Sequence, residues 1–220
     1  SSFSSNLIKR LIKSFGQPFA DSSIIPTYKV CQLISNHVTV AISGDGADEL
    51  FMGYDKYRKN KSFENTVFRN TDLSFLKKNF RVSPIDIVKK IIPDFEDMSH
   101  IEKIRAFDAR IFLEGDILQK VDRLSMENSL EVRSPFLDHR VCEFAMQLSE
   151  HELISEDHGK VFLKKMLAKN FEEDFIYRDK IGFMLSIEEW REEILRTLTR
   201  VSKVSKGASV LKNDVDYNIS

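Results

Sequence analysis

A loop rich in glycine and carboxylates stands out as a place where this chain could carry chemistry. It reads SGDGADE over residues 43–49 and directly follows the apolar run VTVAI over residues 38–42. We predict that the run is a short strand packed on both faces. Carboxylates at the carboxyl end of such a strand lie where open α/β sheets bind their ligands. Asp45, Asp48 and Glu49 therefore indicate a site for a cation, which would be a divalent metal, a lysine or both.

A structural interpretation of the same acids stays open. They could cap a helix and stabilise its first turn through the helix dipole. Gly44 and Gly46 would let the backbone turn tightly or approach a ligand closely. The loop is not a P-loop, because it lacks the G-x-x-x-x-G-K-[ST] pattern. Nor does it fit G-x-G-x-x-G, since Glu49 occupies the third glycine position.

Two lysines far along the chain are candidates for binding phosphate. Lys160 follows Gly159 at the start of a helical pattern, and Lys180 lies in the segment RDKIGF over residues 178–183. A lysine ammonium is a compact cation that suits phosphate oxygens. Either lysine alone would be an ordinary surface residue. Together with the acidic loop they favour a site for phosphate transfer or nucleotide activation.

A third segment, residues 120–138, places charges between apolar residues. The charged positions are Lys120, Asp122, Arg123, Glu131, Arg133 and Asp138. This pattern predicts partly buried ion pairs, which are as often structural as functional. We favour the structural interpretation of this segment.

The overall composition excludes several classes of protein. The chain has 220 residues, enough for one domain or a large piece of one, and its formal net charge is -1. No global field therefore recruits nucleic acid or an anionic membrane. The apolar runs are far shorter than the ~20 residues of a membrane helix, and the start lacks the apolar core of a signal peptide. Cys31 and Cys142 are interpreted as buried thiols in a reducing compartment, so we expect a cytoplasmic protein.

Most of the chain carries helical patterns. We predict helices over residues 6–16, 26–34, 50–61, 72–80, 83–92, 99–118, 117–129, 140–148, 159–171 and 187–201, with a break at Gly115. The basic end of the helix at 50–61 is interpreted as a solvated surface. Residues 130–139 are predicted to be an ordered loop. Since only residues 38–42 form a strand pattern and one strand cannot make a sheet, we expect the sheet partners to lie outside this chain.

Five ordered motifs together resemble the carboxyl-terminal synthetase domain of glutamine-dependent asparagine synthetases and their relatives, including β-lactam synthetase. They span most of residues 16–191. They are PFADSSIIPTY (18–28), HVTVAISGDGADELFMGY (37–54), GDILQKVDRLSMENSLEVRSPFLDHRVCEFA (115–145), GKVFLKKML (159–167) and RDKIGF (178–183). The resemblance implies an α/β fold, namely a partial, predominantly helical ATP-pyrophosphatase domain of the adenine nucleotide α-hydrolase type.

The resemblance also implies an activity and roles for individual residues. The family adenylates a carboxylate, typically aspartate, with release of pyrophosphate, and ammonia then displaces AMP. ATP and Mg²⁺ are the implied cofactors. Asp48 would bind the metal, while Asp45 and Lys180 would be catalytic. The implied nucleotide-binding residues are Lys160, Ser43, Gly44 and Gly46.

Two features of the family are absent from this sequence. The nucleotide loop S-G-G-x-D-S does not occur, and neither does the amino-terminal glutaminase domain. We therefore expect a fragment that is inactive or binds ATP very weakly in isolation, with the glutaminase domain upstream or in trans. Residues 1–200 would belong to the synthetase domain and residues 201–220 would be a disordered polar tail. Homo-oligomers could form through an uncovered sheet edge.

Two alternatives to this function stay open at this point. One is a related amide ligase that acts on another carboxylate. The other is a non-catalytic interaction scaffold that lacks the nucleotide loop.

Overall fold

The computed structural model describes residues 5–16, 19, 21–59, 62–68, 73–74, 78, 81 and 83–178. They divide into two compact units, one ending at Pro26 and the other beginning at Thr27. Helices dominate the described part. They are α1 (Ser5–Phe15), α2 (Ile24–Ile34), α3 (Ala47–Leu50), α4 (Lys56–Lys59), α5 (Phe63–Val67), α6 (Pro84–Ile91), α7 (His100–Phe107), α8 (Gln119–Met126), α9 (His139–Gln147), α10 (Glu150–Leu153), α11 (Val161–Leu167) and α12 (Glu173–Ile176), with 3-10 turns at Phe95–Asp97 and Pro135–Leu137 and a π-helix at Asp108–Leu118. None of the described helices has the length and hydropathy needed to cross a membrane.

The unit that ends at Pro26 contains the amphipathic helix α1. The ring of Phe15, its last residue, stacks on the ring of Phe19 with centroids 4.3 Å apart. The loop that follows is closed by Asp21, whose carboxylate accepts hydrogen bonds from the backbone N–H and the hydroxyl of Ser23 at 2.8 and 2.7 Å.

The strand before the acidic loop belongs to a two-stranded parallel sheet. Strand β1 (Val40–Ile42) pairs with β2 (Glu131–Arg133), with Val40 opposite Glu131 and Ile42 opposite Arg133. The prediction of a loop over residues 130–139 is therefore wrong for β2, and so is the expectation that every sheet partner lies outside the chain. Strand β2 has only three residues, and both of its end residues are charged and exposed. So short a segment shows no alternation of apolar and polar residues from which a strand could be predicted.

The prediction that β1 is packed on both faces is also wrong for this chain. Ile42 is 78% exposed, and Val40 is 39% exposed. The fold class is confirmed in its coarser form, as a mostly helical domain with a small parallel sheet that is compatible with part of an α/β domain.

The apolar core of the second unit anchors the turn that follows the acidic loop. Its buried residues come from several helices and turns: Leu50, Phe51, Met52, Tyr57, Phe63, Val88, Ile92, Phe95, Ile104, Ala145 and Leu153. Phe63 makes edge-to-face contacts with Phe95 and Phe107, with centroids 5.0 and 5.8 Å apart. The side chains of three consecutive residues, 50–52, pack in this core. Their packing fixes the backbone between the acidic loop and α4.

The predicted helix over residues 50–61 is wrong. Helix α3 ends at Leu50, Met52 adopts a left-handed conformation with φ of 57°, and α4 begins only at Lys56. The side chains of Phe51 and Met52 are 2% and 0% exposed. Burial of both offsets the left-handed backbone at Met52, which sequence patterns do not reveal.

The predicted break at Gly115 is wrong as well. The helical path runs from α7 through the π-helix into α8 without interruption, and Gly115 lies inside the π-helix. A single glycine costs about 1 kcal/mol relative to alanine in a helix interior, which packing elsewhere readily offsets.

Other predicted helices agree with the structure to within a few residues at their ends. Helices α1 and α9 each begin one residue before the predicted ranges 6–16 and 140–148, and α6 lies within the predicted 83–92. Helix α11 is shorter than the predicted 159–171. Cys31 and Cys142 are free thiols, the first buried and the second half-buried. The predicted helix at 187–201 and the tail lie outside the described residues, and so does most of the helix at 72–80.

Candidate active site

The acidic loop turns sharply at Gly46. This residue has a left-handed conformation, with φ of 88°, and it caps the N-terminus of α3. A Cβ atom at this position would also collide with the side chain of Leu137. Both the backbone conformation and the close approach therefore require glycine. Asp48 and Glu49 occupy the first turn of α3, as the helix-capping interpretation of the loop expected, but no side chain caps this helix.

Asp45 lies beside hydroxyl groups at the carboxyl ends of both strands. The Ser43 hydroxyl follows β1 and donates to Asp45 Oδ2 at 2.7 Å. Ser134 follows β2, and its Oγ lies 2.8 Å from Ser43 Oγ. Sequence reasoning did not select Ser134, because β2 was not recognised as a strand. The parallel pairing of the two strands brings these hydroxyl groups together at one edge of the sheet.

Glu49 points into the protein rather than toward a ligand. Its residue is 3% exposed, and its carboxylate accepts a hydrogen bond of 2.5 Å from the Tyr54 hydroxyl. Burial, together with the negative charge of Glu49, raises the pKa of the Tyr54 phenol. The Glu49–Tyr54 hydrogen bond therefore links the two ends of the turn over residues 49–54 on the buried side of that turn.

Asp48 and Lys160, which are 112 positions apart in the sequence, form an ion pair. Lys160 Nζ lies 3.0 Å from Asp48 Oδ1, and the two side chains are 28% and 23% exposed. The Lys160 backbone N–H donates to the Phe51 carbonyl at 3.1 Å, so the two segments are also joined through the main chain. Lys160 itself has a left-handed backbone, with φ of 56°, immediately before α11.

Two glycines make the Asp48–Lys160 pair sterically feasible. A Cβ atom on Gly53 would collide with Asp48 Oδ1 and with Lys160 Cε. A Cβ atom on Gly159 would collide with the Met52 carbonyl oxygen. The glycine before Lys160 is thus explained by backbone packing, and Gly53 is explained by the side chains that lie over it.

A second polar cluster joins α4 to the π-helix. Asp108 is 0% exposed and accepts a short hydrogen bond from the Tyr57 hydroxyl, and Lys56 Nζ lies 3.6 Å from Asp108 Oδ1. Burial raises the pKa of Asp108 to about 6, even though the Lys56 charge opposes that shift. The interpretation of the basic end at 50–61 as a solvated surface is therefore wrong for Lys56. Sequence reasoning also did not select Asp108, and its apolar neighbours in the sequence gave little signal.

The charged segment at 120–138 takes part in a partly buried ion pair, as its sequence pattern predicts. Lys120 is 6% exposed and lies 3.7 Å from Asp116. Asp138 instead accepts a bond of 2.9 Å from the Arg140 backbone N–H and so caps α9. Hydrogen bonds from Arg140 hold the pKa of Asp138 well below its usual range.

The structure brings together some of the residues selected from the sequence. Asp48 pairs with Lys160, and Asp45 is bonded to Ser43 in the same loop as Gly44 and Gly46. Lys180 lies outside the described residues. Within the described ranges, no three histidine, cysteine or carboxylate side chains are grouped so as to hold a metal by themselves. A single carboxylate such as Asp48 nevertheless fits Mg²⁺, which commonly takes one or two protein carboxylates and completes its shell with phosphate oxygens and water.

The chain belongs to the asparagine synthase family, since residues 3–211 match the family's sequence model, described as asparagine synthase. Glutamine-hydrolyzing asparagine synthetase 1 of Bacillus subtilis (strain 168) is 29% identical over 84% of this chain and 37% of its own length. A putative glutamine-hydrolyzing asparagine synthetase of Mycobacterium tuberculosis (strain H37Rv) is 27% identical over 79% of this chain and 34% of its own length.

A short region has higher similarity to another relative. Putative glutamine-hydrolyzing asparagine synthetase 2 of Methanocaldococcus jannaschii is 48% identical over 48 residues, which is 22% of this chain and 9% of that protein. The chain spans about a third of the length of the first two relatives. The resemblance inferred from the five motifs is thus confirmed at the level of the family and its synthetase domain.

Proposed function

We propose that this chain is the carboxyl-terminal part of the synthetase domain of an ATP-dependent amide-forming ligase whose carboxylate substrate is aspartate. The observation that carries the proposal is the 3.0 Å pairing of Asp48 with Lys160, two residues from separate motifs of the family. The names of the relatives, glutamine-hydrolyzing asparagine synthetases, support the class of reaction. We also propose the ATP-pyrophosphatase fold, in which further strands would extend the small parallel sheet.

The Asp48–Lys160 pair suits a site that receives a charged nucleotide. Both side chains are about a quarter exposed, so neither charge is locked away from solvent. When a magnesium–triphosphate enters, each partner can exchange the other for an opposite charge on the ligand. Asp48 would hold the metal, and Lys160 would contact phosphate oxygens. Bound Mg²⁺ supplies neutralisation of the phosphate charge.

The chemistry we propose has two steps. The substrate carboxylate attacks the α-phosphate of ATP, and pyrophosphate leaves. Ammonia then attacks the acyl-adenylate, and AMP leaves with the amide as product. Negative charge grows on the phosphate oxygens in the first step, where preorganised cations stabilise it most effectively. We assign that role to Lys160 and Lys180.

The loop around Asp45 would act on the other side of the reaction. The Ser43 hydroxyl fixes the Asp45 carboxylate from within the loop. We propose that Asp45 orients the attacking nitrogen and accepts its proton. Gly44 adds no side chain to the loop, and a Cβ atom there would meet nothing within 4 Å, so this stretch of backbone is open to a ligand. The ammonia would come from a glutaminase domain that lies upstream or on a separate chain.

The proposal is tested by amide formation and pyrophosphate release in the complete ligase, with aspartate, ATP and ammonium as substrates. Lys180→Ala, Lys160→Met and Asp48→Asn should each lower turnover by at least about a hundredfold while the circular dichroism spectrum stays unchanged. Lys165→Met is the matched control, because Lys165 is an exposed lysine on α11, the helix that begins just after Lys160. Full turnover in the Lys160 and Asp48 variants would overturn the proposed site. Pyrophosphate release with a different carboxylate but not with aspartate would overturn the substrate.

A further inference from the structure

A second lysine lies one helical turn beyond Lys160. Lys164 is on α11, and its backbone N–H donates to the Lys160 carbonyl at 2.9 Å. Lys160 is the N-cap residue of α11, so this hydrogen bond closes the first turn of the helix. The two lysines therefore lie one turn apart at the same end of α11.

An aromatic ring positions the ammonium group of Lys164. Lys164 Nζ lies 4.9 Å from the centroid of the Tyr177 ring, and that ring lies 4.7 Å from the imidazole of His158. A lysine over the face of an aromatic ring is attracted by the ring's negative face, which favours one position for an otherwise flexible side chain. Tyr177 also lies next to the RDKIGF motif, which begins at Arg178.

The charges around Lys164 are mainly positive. Burial lowers the pKa of Lys164, and the positive charges of Arg58 and Lys160 lower it further, while Asp55 opposes them. Arg58 has its own partner in Asp55, at 2.5 Å, and Lys160 has one in Asp48. Among the residues that the structure describes, no carboxylate forms an ion pair with Lys164. The three cations, Arg58, Lys160 and Lys164, therefore face only the two carboxylates of Asp55 and Asp48. This leaves a local excess of positive charge, which a bound anion would neutralise.

We propose that Lys164 is a third cation of the site and that it contacts the pyrophosphate end of the nucleotide triphosphate. This inference rests on the proposed function. Both lysines belong to the first turn of α11 and its cap, so we infer that one polyanionic ligand contacts both. The leaving pyrophosphate carries several negative charges, and a third ammonium spreads that charge over more hydrogen-bond donors.

Binding of inorganic pyrophosphate to this chain tests the inference without any turnover. The titration is followed by calorimetry and by ³¹P NMR at millimolar ligand. The unmodified chain should bind, and Lys164→Gln should weaken binding by about tenfold, the effect of one lost charge-assisted hydrogen bond. Lys164→Arg should keep most of the affinity. Lys165→Gln is the matched control, because Lys165 is the exposed lysine next to it on α11, and it should leave the affinity unchanged.

Several outcomes would overturn the inference. They are equal affinity in the unmodified chain and Lys164→Gln, an equal loss in Lys164→Gln and Lys165→Gln, and no binding by the unmodified chain at millimolar pyrophosphate. Amide formation by the complete ligase separates this failure from failure of the proposed function. If the ligase is active and Lys164→Gln changes neither pyrophosphate affinity nor the KM for ATP, only the third cation is wrong. If Lys164→Gln weakens pyrophosphate binding but no carboxylate supports amide formation, the anion site stands and the ligase assignment fails.

Discussion

Among the lysine–aspartate ion pairs in the unit that begins at Thr27, Lys160–Asp48 and Lys56–Asp108 differ in what surrounds them. The pair of Lys160 and Asp48 is 3.0 Å apart with both side chains about a quarter exposed. In the pair of Lys56 and Asp108 the charged atoms are 3.6 Å apart and the aspartate is fully buried. Under the proposed function, the first pair would exchange its partners for a ligand, whereas the buried aspartate of the second pair is closed to solvent. We therefore propose that similar residue types serve binding in one place and structural support in the other.

The buried pair is enclosed by aromatic rings and by the helix that carries it. Lys56 Nζ lies 5.2 Å from the ring centroids of Tyr54 and Tyr57 and 4.7 Å from that of Phe112. Asp108 begins the π-helix, a wider helical form that often marks functional regions. One turn earlier, Arg105 donates to the carbonyls of Leu50 and Ala145. The cluster therefore supports the end of α3, the helix that carries Asp48.

The largest contrast between the pairs should come from removing each aspartate in turn. Asp108→Ala leaves the Tyr57 hydroxyl and the Lys56 ammonium without their buried acceptor, so it should lower the free energy of unfolding by about 3–5 kcal/mol. Asp48→Ala removes one side of a partly exposed pair and should cost about 1 kcal/mol or less. Urea denaturation of both variants measures the difference. Equal losses would show that the two pairs do not differ in the way proposed here.

The sequence identified the open pair better than the buried one. The acidic loop, Lys160 and the strand before the loop were all predicted, because glycine spacing and ordered motifs are local features of a sequence. Asp108 gave no comparable signal, since its burial depends on Tyr57 and Lys56, which lie about fifty positions away. Long-range contacts of this kind have no imprint on local periodicity.

The same limit explains the errors in the fold. Met52 adopts a left-handed backbone because residues 51 and 52 both enter the core, and nothing in the run LFMGY marks that turn except Gly53. Strand β2 is three residues long with exposed charged ends, so it was assigned to a loop. Ser134 was missed with it. Helices with a clear amphipathic pattern, such as α1 and α6, were predicted well because their buried face repeats with the helical period.

The pH dependence of stability should report the buried carboxyl group of the Lys56–Asp108 pair. The pKa of Asp108 is about 6 in the folded chain, compared with an ordinary value of 3.8. Between about pH 4 and 6 the folded state binds more protons than the unfolded state, so stability falls as the pH rises and then levels off above about 6. The difference between these two pKa values corresponds to about 3 kcal/mol. Asp108→Asn removes this titrating group while retaining an oxygen that can accept from Tyr57.

Urea denaturation from pH 4 to 7 measures this effect as the difference in unfolding free energy between the unmodified chain and Asp108→Asn. Other titrating groups contribute similarly to both proteins and largely cancel. The unmodified chain should lose about 3 kcal/mol relative to the variant over this range. Parallel curves for the unmodified chain and Asp108→Asn would contradict a buried carboxyl with a raised pKa.

A smaller effect should separate the two glycines at the open pair. In Gly159→Ala the added methyl meets the Met52 carbonyl oxygen, which is part of the backbone, so the chain must shift and stability should fall by about 1–3 kcal/mol. In Gly53→Ala the methyl meets the ends of the Asp48 and Lys160 side chains, which can rotate away. Thermal denaturation should therefore show the smaller loss for Gly53→Ala, while pyrophosphate binding should weaken in that variant because its ion pair is displaced. Full pyrophosphate affinity in Gly53→Ala would show that anion binding does not depend on the ion pair between Asp48 and Lys160.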